Sequence, residues 1–150
     1  MLTNLLTQKS PRGALAFVTW GAQLVAAAIL LQTAFFKLTA APESIALFET
    51  LGVEPFGRIS TGLFEVVAGV LLLVPRVAGL GGALGVGLMG GAILSHLTVL
   101  GIEVQGDGGA LFGMAIAVLV SSATVALLLG IPLPTLLRPA LVRVESGERV

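Results

Sequence analysis

The chain has 150 residues, 56% of them hydrophobic and only 11% charged, with eight basic and eight acidic side chains in balance. A soluble domain carries about 25% charged residues, so a mean hydropathy of +1.05 excludes an ordinary water-exposed surface, and the missing basic excess excludes a nucleic-acid partner. No cysteine and a single histidine exclude disulfides, thiolate metal ligation, dithiol redox chemistry and bis-histidine haem ligation within this chain, which leaves an integral membrane protein with lipids as its first partners.

The first apolar stretch runs from Gly13 to Phe36, bracketed by Arg12 and Lys37. A helix needs roughly 17 to 25 apolar residues to cross the hydrocarbon core, and this stretch supplies them. Basic residues precede it, as in a secretory signal, but no small-x-small cleavage site stands out, so a retained first helix over 13–37 is expected. One helical face of it carries Thr19, Gln23, Ala26, Leu30, Thr33 and Lys37. The segment that follows is the longest connection, and within it SIALFETLG predicts a short amphipathic helix at the membrane interface, with Pro42 and Glu43 suited to its first turn.

The second span is the shortest. Ile59 to Val74 gives 16 residues between Arg58 and Pro75–Arg76, and Glu65 stands inside it. A start at residue 56, with Arg58 snorkelling to the interface, gives a helix over 56–75. Gly62, Glu65, Gly69 and Leu72 share a face. An ionised carboxylate facing lipid is expensive, so this small-residue face is predicted to turn inward and take Glu65 with it.

The third span, expected over 77–101, holds seven glycines between residues 79 and 91. Such a sequence is a poor helix in water, but in lipid the cost of unpaired backbone groups keeps it helical. Gly81–Gly85 and Gly87–Gly91 have small-xxx-small spacing, which together with Gly62 and Gly69 predicts close helix packing. His96, Ala92, Met89, Gly85 and Gly81 form its narrow face, and Met89 and Met114 read as packing residues. The fourth span, expected over 109–131, ends at PLP and offers Ala110, Gly113, Ala117, Ser121 and Thr124 as its small and polar face. A short tail, 132–150, follows. The predicted fold is all-α: a single polytopic membrane domain, a bundle of four transmembrane helices with a short outer interfacial helix.

Charge placement orients it. With the N-terminus inside, six basic residues (Lys9, Arg12, Arg76, Arg138, Arg143, Arg149) lie inside and two (Lys37, Arg58) outside. The positive-inside rule then predicts a multi-pass protein of the inner, cytoplasmic membrane with both termini cytoplasmic. Lys37, Glu65 and His96, from three different helices, fall in one outer leaflet. They are expected to line an outward-facing polar pocket with Arg58 at its mouth and Glu103, Gln105 and Asp107 as its rim. Each has a structural alternative. Glu65 suits an ion pair with Lys37, Arg58 or His96 as well as a ligand or proton-relay role. His96 suits a hydrogen bond to a carbonyl near a helix end, Lys37 an interface anchor, and Gln23 a bridge between two helices. No metal site is expected. The G-x-G spacings in GLGGALGVGLMGG lie inside a membrane-length run with no strand before it, so they predict no dinucleotide site, and QGDGG at 105–109 holds too few acids for a calcium loop.

Taken together, LLQTAFFKL (30–38), LFETLGVEP (47–55), GLFEVVAGVLLLVPRVAGLGG (62–82) and LMGGAILSHL (88–97) resemble the DoxX-like family of small four-helix membrane proteins over roughly residues 15–130. Its most specific element here is Glu65 followed by Gly69, an apolar run and Arg76. Where the family more often has a glycine before the lysine of its first helix, this chain has Ala34 and Phe35. The resemblance implies the fold. It also implies kinship with the small subunit of an archaeal thiosulfate:quinone oxidoreductase, with bacterial relatives linked to oxidative stress or sulfur metabolism, and more distantly with eukaryotic cargo receptors. Fold alone does not assign a reaction. The expected role is a non-catalytic or accessory subunit that binds a small molecule, quinone or lipid. The chain is expected to carry no cofactor of its own beyond a quinone. A homo-oligomer and a membrane-associated redox partner are the protein partners this reading allows. A subunit of a sulfur-compound:quinone oxidoreductase, a small-solute or ion transporter, and a structural or biogenesis scaffold are the competing classes.

Overall fold

A computed structural model describes residues 13–130. The tail 132–150, the end of the expected fourth span at Ile131, and five of the six inside charges (Lys9, Arg12, Arg138, Arg143, Arg149) lie outside the described residues. The described chain forms α1 (Ala14–Leu38), α2 (Pro42–Thr50), α3 (Phe56–Leu73), α4 (Ala78–Ser95) and α5 (Ala110–Leu129), with a π-helical turn, His96–Leu100, continuing α4. Four of these, counting α4 with its π turn, are long and apolar enough to cross a membrane. The fold is therefore the expected all-α arrangement of four membrane-length helices and one shorter helix.

The breaks between helices have local causes. After α1, Ala40 takes a positive φ of 55° and Ala41 donates back to the Phe36 carbonyl at 3.0 Å, which turns the chain sharply. Pro42 then opens α2, with Glu43 in its first turn. Proline needs no partner for the N–H it lacks there, and the acid faces the positive end of the helix dipole. Val74 is extended, as a residue before proline must be, and so ends α3. Gly101, at φ 79°, ends the π turn, and its N–H closes on His96 O at 2.8 Å.

Short connections make sequence neighbours antiparallel. α1 packs on α3 and α5, and α4 packs on the same two, so α1 and α4 sit across a diagonal. α2 lies over one end, touching α1, α3 and the π turn. The core holds Leu30, Leu72, Val118 and Val125 among the small residues Ala26, Ala27, Ala68 and Ala78. Large apolar side chains point the other way: Phe17, Phe56 and Leu127 are each more than 80% exposed. In water such a surface would aggregate; in lipid it is the contact surface.

Glycines set the helix spacing, but only some of those expected to. A Cβ on Gly62 would stand 3.1 Å from Leu38, and one on Gly69 2.8 Å from Leu31, so α3 lies close on α1. A Cβ on Gly81 would meet the Leu72 backbone nitrogen of α3 at 2.6 Å. One on Gly82 would meet Ser122 O of α5 at 2.6 Å, and Gly85 faces the Ser122 side chain. Gly87 and Gly91 correct the expectation: both are exposed, and a Cβ at either has nothing within 4 Å. Their spacing fits a packing motif, but they lie roughly 200° and 240° around α4 from Gly85, away from the face on which Met89 and Ala92 meet the core.

The α5 face is also corrected. Ala110, Gly113, Ala117, Ser121 and Thr124 were expected inward, but the buried residues are Ala115, Val118, Ser122 and Val125. The helix is turned by about one residue, or roughly 100°. α5 is apolar all round, so periodicity carries no phase. The contact of Ser122 with Gly82 and Gly85 sets it.

These contacts separate the glycines experimentally. Gly82→Val forces a methyl-bearing carbon onto the α5 backbone and is expected to cost about 1–3 kcal/mol or more, read as lowered thermal stability in detergent. Gly91→Ala is expected to leave stability unchanged or raise it by up to about 1 kcal/mol, through helix propensity alone.

Candidate functional site

The close approach of α1 and α3 at Gly62 brings Lys37 above Glu65. Lys37 Nζ donates to both carboxylate oxygens of Glu65, at 3.0 Å each. The Glu65 side chain is 3% exposed and that of Lys37 16%. Glu65 stands near the middle of α3, about 14 Å along it, deeper than the 9 Å or so that a start at Ile59 implies. Lys37, in the last turn of α1, reaches down to meet it, while the Thr33 hydroxyl donates to Leu30 O at 3.1 Å.

Arg58 is buried but does not line the cavity beneath it. Its Nε donates to both Glu54 oxygens, at 2.9 and 3.0 Å, and Nη2 lies 2.8 Å from Glu54 Oε1. Nη1 donates to the carbonyl of Lys37. Arg58 thereby gives a second donor to a C-terminal carbonyl of α1 that also accepts from Ala40 N at 3.3 Å, and its charge complements the helix dipole there. Glu54 was not singled out from the sequence, though its i, i+4 spacing from Arg58 is a readable signal.

His96, 5% exposed, enters from α4. Its Nδ1 lies 2.7 Å from Gly101 O, and its ring meets Phe112 edge to face with centroids 5.5 Å apart. A carbonyl oxygen only accepts, so Nδ1 carries the proton. Nε2 is then the acceptor nitrogen, with no hydrogen-bond partner among the described residues. The π turn supplies this arrangement by placing the Gly101 carbonyl back over the ring, and π turns recur at functional sites.

Lys37, Glu65 and His96 line one cavity of about 450 Å³, within the range of small-molecule sites. Its remaining walls are mostly apolar: Leu30 of α1, Leu47 and Phe48 of α2, Leu88 and Met89 of α4, Met114 and Val118 of α5. Thr33, Thr61 and Ser95 add hydroxyls. The short amphipathic helix was expected to pack over the outer end of the bundle, and α2 does so; sequence reasoning did not single out Leu47, Phe48, Leu88 or Val118 as cavity walls.

The three expected rim residues do not line the cavity. Glu103 is exposed. Gln105 donates to Glu43 O at 3.1 Å and ties the 101–109 loop to α2. Asp107 accepts from Val104 N and Gly109 N at 2.9 Å and from Leu111 N at 2.8 Å, capping α5. These backbone amides, Leu111 first, hold its carboxyl below the ordinary aspartate range. Gln23, expected to bridge two helices, is buried, and its Oε1 has no partner among the described residues.

A family model described as the DoxX-like family matches residues 21–125, more than half of the chain. The chain belongs to the DoxX-like family. No curated protein and no solved structure matches it. The matched DoxX-like region holds Lys37, Glu54, Arg58, Glu65, His96 and Asp107, so the whole site lies inside the family's domain.

Two tests follow from this geometry. Removing one member of a buried pair strands the other, at about 3–5 kcal/mol when fully buried. Lys37 stands near a helix end and can snorkel; Glu65 cannot. Lys37→Met is therefore expected to destabilise the DoxX-like bundle more than Glu65→Gln does, and the double variant is expected to recover part of the loss in a thermal-unfolding cycle. Asp107 has a lowered folded-state pKa, so its stabilisation is complete above the unfolded value, roughly pH 4, and is lost as pH falls through the folded value. The stability gap between the wild type and Asp107→Asn is expected to be constant from pH 5 to 7, on the order of the span in which both states are ionised, and to shrink below that. A gap that does not change with acidification contradicts this.

Proposed function

We propose that this DoxX-like protein is an accessory membrane subunit that binds a neutral amphiphile with a hydroxyl or carbonyl headgroup, a quinol being the chemistry that fits best. The observation that carries the reading is a largely apolar cavity of about 450 Å³ joining a closed ion pair to an unpartnered histidine nitrogen. Lys37 is paired with Glu65, and Arg58 with Glu54, so the site carries no net charge to offset an anion. An attraction of Lys37 and Arg58 for an anionic headgroup, natural from the sequence, is weakened by these pairings. Nε2 of His96 calls for a donor, which a quinol hydroxyl supplies. Lys37 keeps an N–H beyond the two given to Glu65, and that proton suits a ring oxygen.

With both termini cytoplasmic, as the charge distribution favours, the cavity opens to the outer leaflet of the inner membrane. Oxidation of a bound quinol releases two protons; His96 Nε2 is placed to accept one of them and the Lys37–Glu65 pair to receive the other. The electrons go to a membrane-associated redox partner, since no side chain described here stores them.

The test is equilibrium binding of decylubiquinol, kept anaerobic, to purified protein in nanodiscs. His96→Phe removes the acceptor and keeps an aromatic ring against Phe112, and is expected to weaken binding by about tenfold, the equivalent of one lost hydrogen bond of about 1.4 kcal/mol. Equal affinity in the wild type and His96→Phe would sink the headgroup assignment.

A further inference from the structure

α3 and α4 are in backbone contact at one end. Near the α3–α4 turn their backbones are close enough that a Cβ on Gly81 would lie 2.6 Å from Leu72 N and 2.9 Å from Leu71 C. Roughly two to three turns further along α4, Gly87, Gly90 and Gly91 have no atom within 4 Å of a Cβ. Gly87 and Gly91 are exposed on the surface of a membrane-length helix, yet both also line the cavity. Thr61 of α3, partly exposed, lines it as well. A residue that is both on the lipid-facing surface and on the cavity wall marks an opening. Open glycines alone assign nothing. The second observation is His96, 5% exposed, lining the same cavity with Nε2 unpartnered among the described residues.

From these we infer that the cavity opens sideways into the bilayer between α3 and α4, and that the aliphatic tail of the bound amphiphile lies in this opening across Gly87 and Gly91 while its headgroup reaches His96 and Lys37. The inference rests on the amphiphile reading of the cavity and adds its route and the seat of its tail. α2 closes the end of the bundle, with Leu47, Phe48 and Leu51 as cavity wall and Gln105 tying the 101–109 loop to Glu43. The way from water is thus roofed by packed side chains, and the way from lipid is bounded by hydrogen atoms alone at two positions on α4. Side chains at 87 and 91 would start from Cβ positions that meet no atom within 4 Å and would narrow that gap. The apolar walls match an aliphatic tail, which keeps its hydrophobic surroundings as it passes from bilayer to cavity.

The experiment compares two probes on three proteins in nanodiscs, all anaerobic. The probes are decylubiquinol and its tail-less parent, dimethoxy-methyl-hydroquinone. The proteins are the wild type, the double variant Gly87→Leu/Gly91→Leu, and the control Gly113→Leu, an open glycine of α5 that does not line the cavity. Leucine raises helix propensity at all three positions, and equal thermal stability checks the fold. The expected result is that the double variant slows decylubiquinol association by on the order of tenfold or more, leaves the tail-less probe unaffected, and differs from the control. Unchanged decylubiquinol kinetics in the double variant overturn the lateral opening and leave the binding reading standing. Equal loss of both probes in the double variant also overturns it, because the glycines would then belong to the headgroup seat. If neither probe binds the wild type, the amphiphile reading fails and takes the opening with it.

Discussion

The Lys37–Glu65 ion pair is the interaction on which the cavity end of this bundle depends. A carboxylate near the middle of a membrane-length helix is tolerated only if something cancels its charge, and the partner must come from another helix. Gly62 lets α1 come close enough to α3 for Lys37 to serve. Arg58 then secures the same end of α1 by donating to the Lys37 carbonyl, and Glu54 balances Arg58. Four charges from two helices and one loop are thus drawn into one neutral assembly. Its cost in desolvation is large, and pairing does no more than offset it. Such a network is better explained by what it positions than by the stability it contributes.

What it positions is the headroom between the helices. At the Gly79–Gly85 end of α4 the glycines let α3 and α5 close to backbone contact, and the bundle is filled by alanine, leucine and valine. At the other end the ion pair and α2 hold α1 and α3 in place, while α4 finishes in a π turn. The space left between them is the cavity. Tight packing and open volume therefore come from the same helix: its first glycines are used for contact and its last ones are left bare.

Much of this was legible in the sequence, for reasons that can be named. Helices in lipid satisfy their own backbone, so four apolar runs read directly as four helices. The inward turn of Glu65 follows from charge in lipid, and the α1 face of Thr19, Gln23, Ala26 and Leu30 follows from helical period; all are buried. What failed to read were features decided between elements. α5 is uniformly apolar, so its phase depended on where Ser122 met two glycines. The spacing of Gly87 and Gly91 is identical to that of Gly81 and Gly85, but they stand on the opposite side of α4, and spacing alone does not say which side packs. Asp107 looked like a rim charge because its backbone partners lie in a loop whose path the sequence does not disclose.

The site's chemistry has the same layered dependence. From sequence, His96 could be placed at the same end of the bundle as Glu65 and Lys37, with a hydrogen bond to a carbonyl near its helix end as one expectation, and Gly101 O is that carbonyl. Its role turns on the Gly101 carbonyl, which fixes the proton on Nδ1 and leaves Nε2 to accept. That carbonyl is available only because the helix widens to a π turn and Gly101 adopts a positive φ that suits glycine. A histidine in a regular helix would find its own backbone carbonyls already engaged along the helix. The tautomer is thus written in one glycine five residues away. On the reading proposed above, that single acceptor, in a cavity whose charges already cancel, is what selects a headgroup that donates.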